Sequence, residues 1–180
     1  MTAPAPARLD VQERPDVFSA GVAAAELGHR VEVSGMRTPT TSTFVNPNGT
    51  QVLESSNFSR NIPDAKGALA PVDTSVAKAS DGSWGVGLHA LRPRFTSSAT
   101  SSSLAVATAS GDVKFGLASP STTSVATKDG TAGLDYPKVL PGVDLDYQVL
   151  PDAVKETLVL ASASAGSGLS SFLCKWRSLV

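Results

Sequence analysis

The strongest constraint on this chain is its punctuation. Asn46-Pro47-Asn48-Gly49 stands between two runs rich in Thr, Val and Phe, residues 41–45 and 50–53. Pro47 presets the backbone of the first central turn position, Asn48 suits the second, and Gly49 accepts the left-handed conformation that closes a type I turn with a bulge. A turn of this kind between β-prone runs predicts a hairpin. Similar clusters recur at Asp64-Ala65-Lys66-Gly67, Ser80-Asp81-Gly82 and Lys128-Asp129-Gly130, each beside a short apolar run. Turn signals separated by runs this short predict a meander of antiparallel strands.

The remaining segments extend that pattern. Val31 and Val33 alternate with Glu32 and Ser34, the mark of a half-buried strand. Residues 96–103 read as a Ser/Thr loop, with a strand at 104–108 after it. The runs 112–117 and 124–127 flank a Ser119-Pro120-Ser121 turn. Leu145, Tyr147 and Val149 alternate with Asp146 and Gln148, and a Leu150-Pro151-Asp152-Ala153 turn leads into Val154–Leu160. Residues 15–27 alone read as a helix: they are Ala-rich, with Pro15 at the first helical position, Asp16 in the first turn and Gly28 just past the end. The expected fold is therefore mainly β, an antiparallel sandwich-like meander with one short N-terminal helix. Residues 1–13 form an Ala/Pro-rich tail, 14–160 one β-rich domain, and 161–180 an irregular tail whose late Phe, Cys and Trp follow Ala/Ser/Gly filler, as if not native sequence.

Composition removes several functions. Fifteen Lys and Arg against sixteen Asp and Glu give a net charge of -1, so no positive field exists to displace counterions from a nucleic acid. No apolar run approaches the roughly 18 residues that mark a membrane-spanning helix, and the N-terminal residues lack the pattern of a secretory signal. A lone cysteine, Cys174, excludes an internal disulfide framework, and with only His29 and His89 beside it no structural zinc site is expected.

Candidate chemistry is thin. Ser75-Val76-Ala77-Lys78 matches Ser-x-x-Lys, in which a lysine one helical turn away activates a serine, but its surroundings read as β and no companion motif follows. Asp144 and Asp146, two apart on one strand, point to the same face and with Asp135 or Asp152 form the candidate metal site, for calcium, or an acid/base pair; the favoured competing reading is a solvated strand face. Trp84 and Tyr147, with Tyr136 and Phe115, form the candidate ligand-binding set, a platform on which sugar rings would stack, against the plainer reading that they fill the core. His29, at the helix end, reads as a cap, and His89 has no nucleophile or carboxylate at close spacing. Asn48-Gly49-Thr50 and Asn57-Phe58-Ser59 fit the glycosylation triplet, though the turn already accounts for Asn48. No cofactor and no catalytic residue is expected.

At residues 37–54 (RTPTTSTFVNPNGTQVLE), 64–74 (DAKGALAPVDT) and 139–160 (VLPGVDLDYQVLPDAVKETLVL) the chain resembles a segment near the N-terminus of large actinobacterial secreted proteins. Those proteins carry RHS/YD repeats and often a DNRLRE-type domain. Their pattern runs Arg-Thr, a Ser/Thr run, a Phe or Trp, Asn-Pro-Asp-Gly-Thr, then Asp-x-x-Gly-x-Trp-x-Pro-Val-Asp-Thr, and later Pro-Gly-x-Asp-Leu with a Lys-Glu strand. Here Asn48 stands in place of the turn's Asp, and Leu69 in place of the usual Trp. The resemblance covers roughly residues 15–160 and implies a β-rich, non-catalytic structural or interaction module, extracellular or wall-associated, and truncated relative to its relatives. Its implied partners are the remainder of a larger polypeptide or cell-surface components. A stand-alone carbohydrate-binding β-sandwich is the alternative, and it requires Trp84 and Tyr147 to be exposed.

Overall fold

The computed structural model describes residues 13–118, 120 and 124–165. Residues 1–12 of the expected tail over 1–13, Ser119 and Ser121 of the expected turn, and residues 166–180, including Cys174, lie outside the described residues; Glu13, placed in the tail by the sequence, instead begins a strand. The fold is mainly β, with antiparallel sheets and, among the described residues, one α-helix near the N-terminus. Where the sequence suggested one β-rich domain over 14–160, the contacts group into two compact units that meet between Val72 and Asp73 in sequence.

In the first unit, β1 (Glu13–Arg14) precedes α1 (Val17–Leu27), followed by β2 (Val31–Val33), β3 (Thr41–Val45) and β4 (Gln51–Ser55). These strands form one sheet in the order β1-β2-β3-β4, antiparallel except for the short parallel pair β1–β2. Asp16 is not inside the first turn but is the N-cap: its side chain accepts the Ser19 N–H at 2.9 Å. Gly28 ends the helix at φ 71°. Ala20, Ala23 and Ala24 pack on Val31, Val33 and Val45, so small helix residues let the helix approach the sheet closely. The expected alternation in β2 is absent, since Glu32 is as buried as the valines beside it, for a reason given below. A separate hairpin pairs β5 (Asn61–Pro63) with β6 (Leu69–Pro71).

The second unit holds two sheets. The first runs β11-β10-β9-β8-β7, built from β7 (Val76–Lys78), β8 (Trp84–Val86), β9 (Arg94–Phe95), β10 (Leu104–Thr108) and β11 (Gly111–Phe115). The second runs β12-β13-β14-β15, built from β12 (Thr127–Asp129), β13 (Gly133–Leu140), β14 (Val143–Val149) and β15 (Val154–Leu160). Val76, Phe95 and Leu104 from one sheet share a core with Leu134, Tyr136, Leu145, Tyr147 and Val149 from the other. Tyr136 Oη donates to the Thr96 carbonyl at 2.6 Å, and burial pushes its phenol up to about 12. The sequence reading did not anticipate β13, which pairs with β14 but shifts register between Tyr136 and Leu140.

Three hairpins share one turn. Asn46 N–H donates to the Thr50 carbonyl and Gly49 N–H to the Asn46 carbonyl; the same two bonds join Asp64 to Ala68 and Gly67 to Asp64, and Ala79 to Ser83 and Gly82 to Ala79. The glycines sit at φ 79°, 82° and 85°, so the third position demands a residue without a Cβ penalty.

Candidate functional site

Tyr147 points into the core of the second unit and is 1% exposed. Its ring lies 5.3 Å from Phe95 and meets Tyr136 edge-on at 6.0 Å. Trp84 is half-buried, stands directly across from Phe95 on one side and Lys78 on the other, and packs against the same core. The Lys78 ammonium lies 5.5 Å from its ring centre. The candidate two-ring sugar platform is therefore not formed, and the plainer reading, that these rings fill the core, is what the packing shows: β14 turns its alternate residues inward to bury Leu145, Tyr147 and Val149, and no sugar can reach a ring enclosed on all sides.

Asp144 and Asp146 do share the other face of β14, as their spacing requires. They do not form a cation site. Asp144 Oδ1 accepts the backbone N–H of Lys138 at 2.6 Å, while Asp146 stands directly opposite Asp135 on β13. Asp152 falls in the β14–β15 turn. Among the described residues no group of three His, Cys, Asp or Glu is placed to hold a metal. What the register creates instead is a carboxyl pair. Burial, then the hydrogen bond and charge of Asp146, then the charges of Asp144 and Asp129, push Asp135 up to about 6. One Asp135 oxygen is buried without a partner.

Ser75 and Lys78 do not make a dyad. Lys78 ends β7 and Ser75 immediately precedes it, and residues three apart on extended backbone face opposite ways, roughly 10 Å apart. The Ser75 N–H is held by Asp73 Oδ1 at 2.8 Å. His89 is a buried tie: Leu91 N–H donates to Nδ1 at 3.1 Å, which leaves Nε2–H to donate to the Leu150 carbonyl at 2.8 Å. His29 is exposed just past the helix.

The most organised polar group lies in the first unit. The Arg37 guanidinium, 3% exposed, forks onto Glu32, with Nε to Oε1 at 2.8 Å and Nη2 to Oε2 at 2.6 Å; it also pairs with Glu13 and donates to the Leu69 carbonyl at 3.2 Å. Burial alone would raise Glu32, but the bonds and charge of Arg37 outweigh it and hold the carboxyl below its usual value. Beside them the buried Asn61 amide donates to the carbonyls of Thr38 and Thr41. The sequence reading missed this layer. Its only trace was a glutamate flanked by two buried valines on a strand, followed by an arginine five residues on.

A shallow groove of about 600 Å³ runs along the β13–β14 turn, lined by Pro120, Lys138, Leu140, Pro141, Asp144 and Ala161. Its walls are mostly apolar, and the Asp144 oxygen bonded to Lys138 is already engaged. Among the described residues no helix is long and apolar enough to cross a membrane. No family model, curated protein or solved structure matches the chain.

Proposed function

We propose that this chain is a non-catalytic structural or interaction module of a large secreted protein of the RHS/YD-repeat kind, outside the cell or bound to its wall. The supporting observation is where the resembling motifs fall. Asn46–Gly49 is the β3–β4 turn, Asp64–Gly67 the β5–β6 turn, Pro141-Gly142 the β13–β14 turn, and Lys155-Glu156 lies on β15. Most of these motif residues build turns or strands; Arg37 of the Arg-Thr pair is tied up in the buried layer with Glu13 and Glu32, and Asp144 holds the Lys138 N–H of the β13 bulge, so both serve as structural ties. The partners that follow are the rest of a larger polypeptide and components of the cell surface.

Antibody raised against residues 13–165 tests this reading in the producing cells. The expected result is a band far larger than this chain, in the culture medium or the wall fraction. A band of this chain's own size confined to the cytosol overturns it.

A further inference from the structure

We propose that Asn48 is a self-modifying residue, converting spontaneously through a cyclic imide to aspartyl and isoaspartyl forms under the direction of the β3–β4 hairpin. The chain has four asparagines, at 46, 48, 57 and 61. In this reaction the backbone nitrogen of the following residue attacks the side-chain carbon, so the following residue decides. Pro47 after Asn46 has no N–H to lose, Phe58 after Asn57 and Ile62 after Asn61 are bulky, and Asn61 is buried. Asn48 is exposed at a hairpin tip and is followed by Gly49, which offers an unhindered nitrogen.

The geometry adds more than exposure. Two donors of Thr50 converge on Asn48 Oδ1, the backbone N–H at 3.1 Å and the hydroxyl at 2.7 Å. The hydroxyl oxygen in turn accepts Asn46 Nδ2–H at 2.9 Å, which commits the hydroxyl proton to Oδ1. Oδ1 is the atom on which negative charge develops when nitrogen adds to Cγ. A pair of donors aimed there does for a side-chain amide what an oxyanion hole does for a peptide carbonyl.

The step balances with water and a solvent base as the only co-reactants. Gly49 N–H, freed from the Asn46 carbonyl by local opening of the turn, loses its proton to the base and bonds to Asn48 Cγ. The Cγ–Nδ2 bond of the tetrahedral intermediate breaks, and nitrogen leaves as ammonia after taking a proton from solvent. Water then opens the five-membered imide at either carbonyl. One product carries a new carboxylate at the hairpin tip; the other also lengthens the backbone by one carbon within the five-residue turn.

Intact protein held in warm, mildly alkaline buffer and followed by peptide mass spectrometry, with an isoaspartyl methylation assay, tests the proposal. Asn48 is expected to convert while Asn46, Asn57 and Asn61 keep their amides. Thr50→Val is expected to slow conversion about fivefold, the rate equivalent of one ordinary net hydrogen bond, and Thr50→Ser to keep the native rate. In concentrated urea all three chains should convert alike, which separates loss of the donor from loss of the fold. Equal rates for folded Thr50→Val and native protein, or an Asn48 amide that outlasts that of Asn57, overturn the proposal.

Discussion

At Glu32 and Arg37 two charges have been taken out of water, and such a pair is secure only while both partners remain. Arg37→Met strands a carboxylate among Val31, Val33 and Ser42, and the expected loss is about 3–5 kcal/mol, read from urea unfolding. Adding Glu32→Leu should return most of it, because the cost lies in the orphaned charge. Asp135 behaves in the opposite sense. Its folded value of about 6 exceeds the 3.8 of an unperturbed aspartate, so between those limits the folded chain binds more protons and stability falls as pH rises. Asp135→Asn should therefore stabilise the protein near neutrality, by roughly 1–2 kcal/mol after screening, and flatten the fall of Tm with rising pH between about 4 and about 6, the two limits. Parallel slopes for native and variant protein would refute the carboxyl pair. The Glu32–Arg37 pair was not legible in the sequence, because a side chain after the 3-10 turn folds back onto β2; Asp135 could be grouped with Asp144 and Asp146, but only the β13–β14 register showed that Asp146 is its direct partner.

Elements were more readable than sites. Hairpin turns declare themselves locally: the Pro, Asn, Asp and Gly that make β3–β4, β5–β6 and β7–β8 turn are adjacent in the chain and carry their conformational preference with them. Strand β13 was hidden by the same logic, since Pro137 removes a ladder donor and argues against a central strand. The structure accommodates it with a bulge, where Lys138 adopts φ 54° and hands its N–H to Asp144. Alternation in β14 showed which residues share a face, and its apolar set, Leu145, Tyr147 and Val149, turns inward as apolar side chains should; what the opposing sheet adds is the company they keep, with Tyr147 packed on Phe95 and Tyr136. Two substitutions probe the elements. Asp16→Ala should cost about 1 kcal/mol through the lost cap of α1, visible as a lower Tm. Gly116→Ala should cost about 1–3 kcal/mol, because its new methyl would lie 2.6 Å from the Thr100 carbonyl oxygen, a backbone atom that cannot swing aside.

At the scale of the molecule, each unit carries its own core: one cluster spans Ala20 to Val45, the other Val76 to Val149. Residues 73–165 expressed alone are accordingly expected to keep a cooperative thermal transition and the near-ultraviolet signal of Tyr136, Tyr147 and Trp84. Loss of both would show that the second core is incomplete by itself. The two units also answer acid differently. Glu32 is held below its unfolded value, so what its pairing contributes is present above about 4.5 and is lost as pH falls beneath it. Asp135 works the other way, strengthening the second unit as pH drops through about 6.

The sheet orders carry a consequence for how the chain assembles. Within every sheet, neighbours in space are neighbours in sequence: β1 to β4, β5 to β6, β7 to β11 and β12 to β15 follow chain order, and only the parallel pair β1–β2 is joined by a crossover, through α1. Apart from β1, which pairs across α1, no strand waits for a distant partner. Each hairpin can close across a few residues as soon as its second arm exists, and loop-closure entropy is met in small instalments along the chain. A polypeptide that emerges from its N-terminus can thus zip up strand by strand, leaving at each moment a single fresh edge open to misalliance.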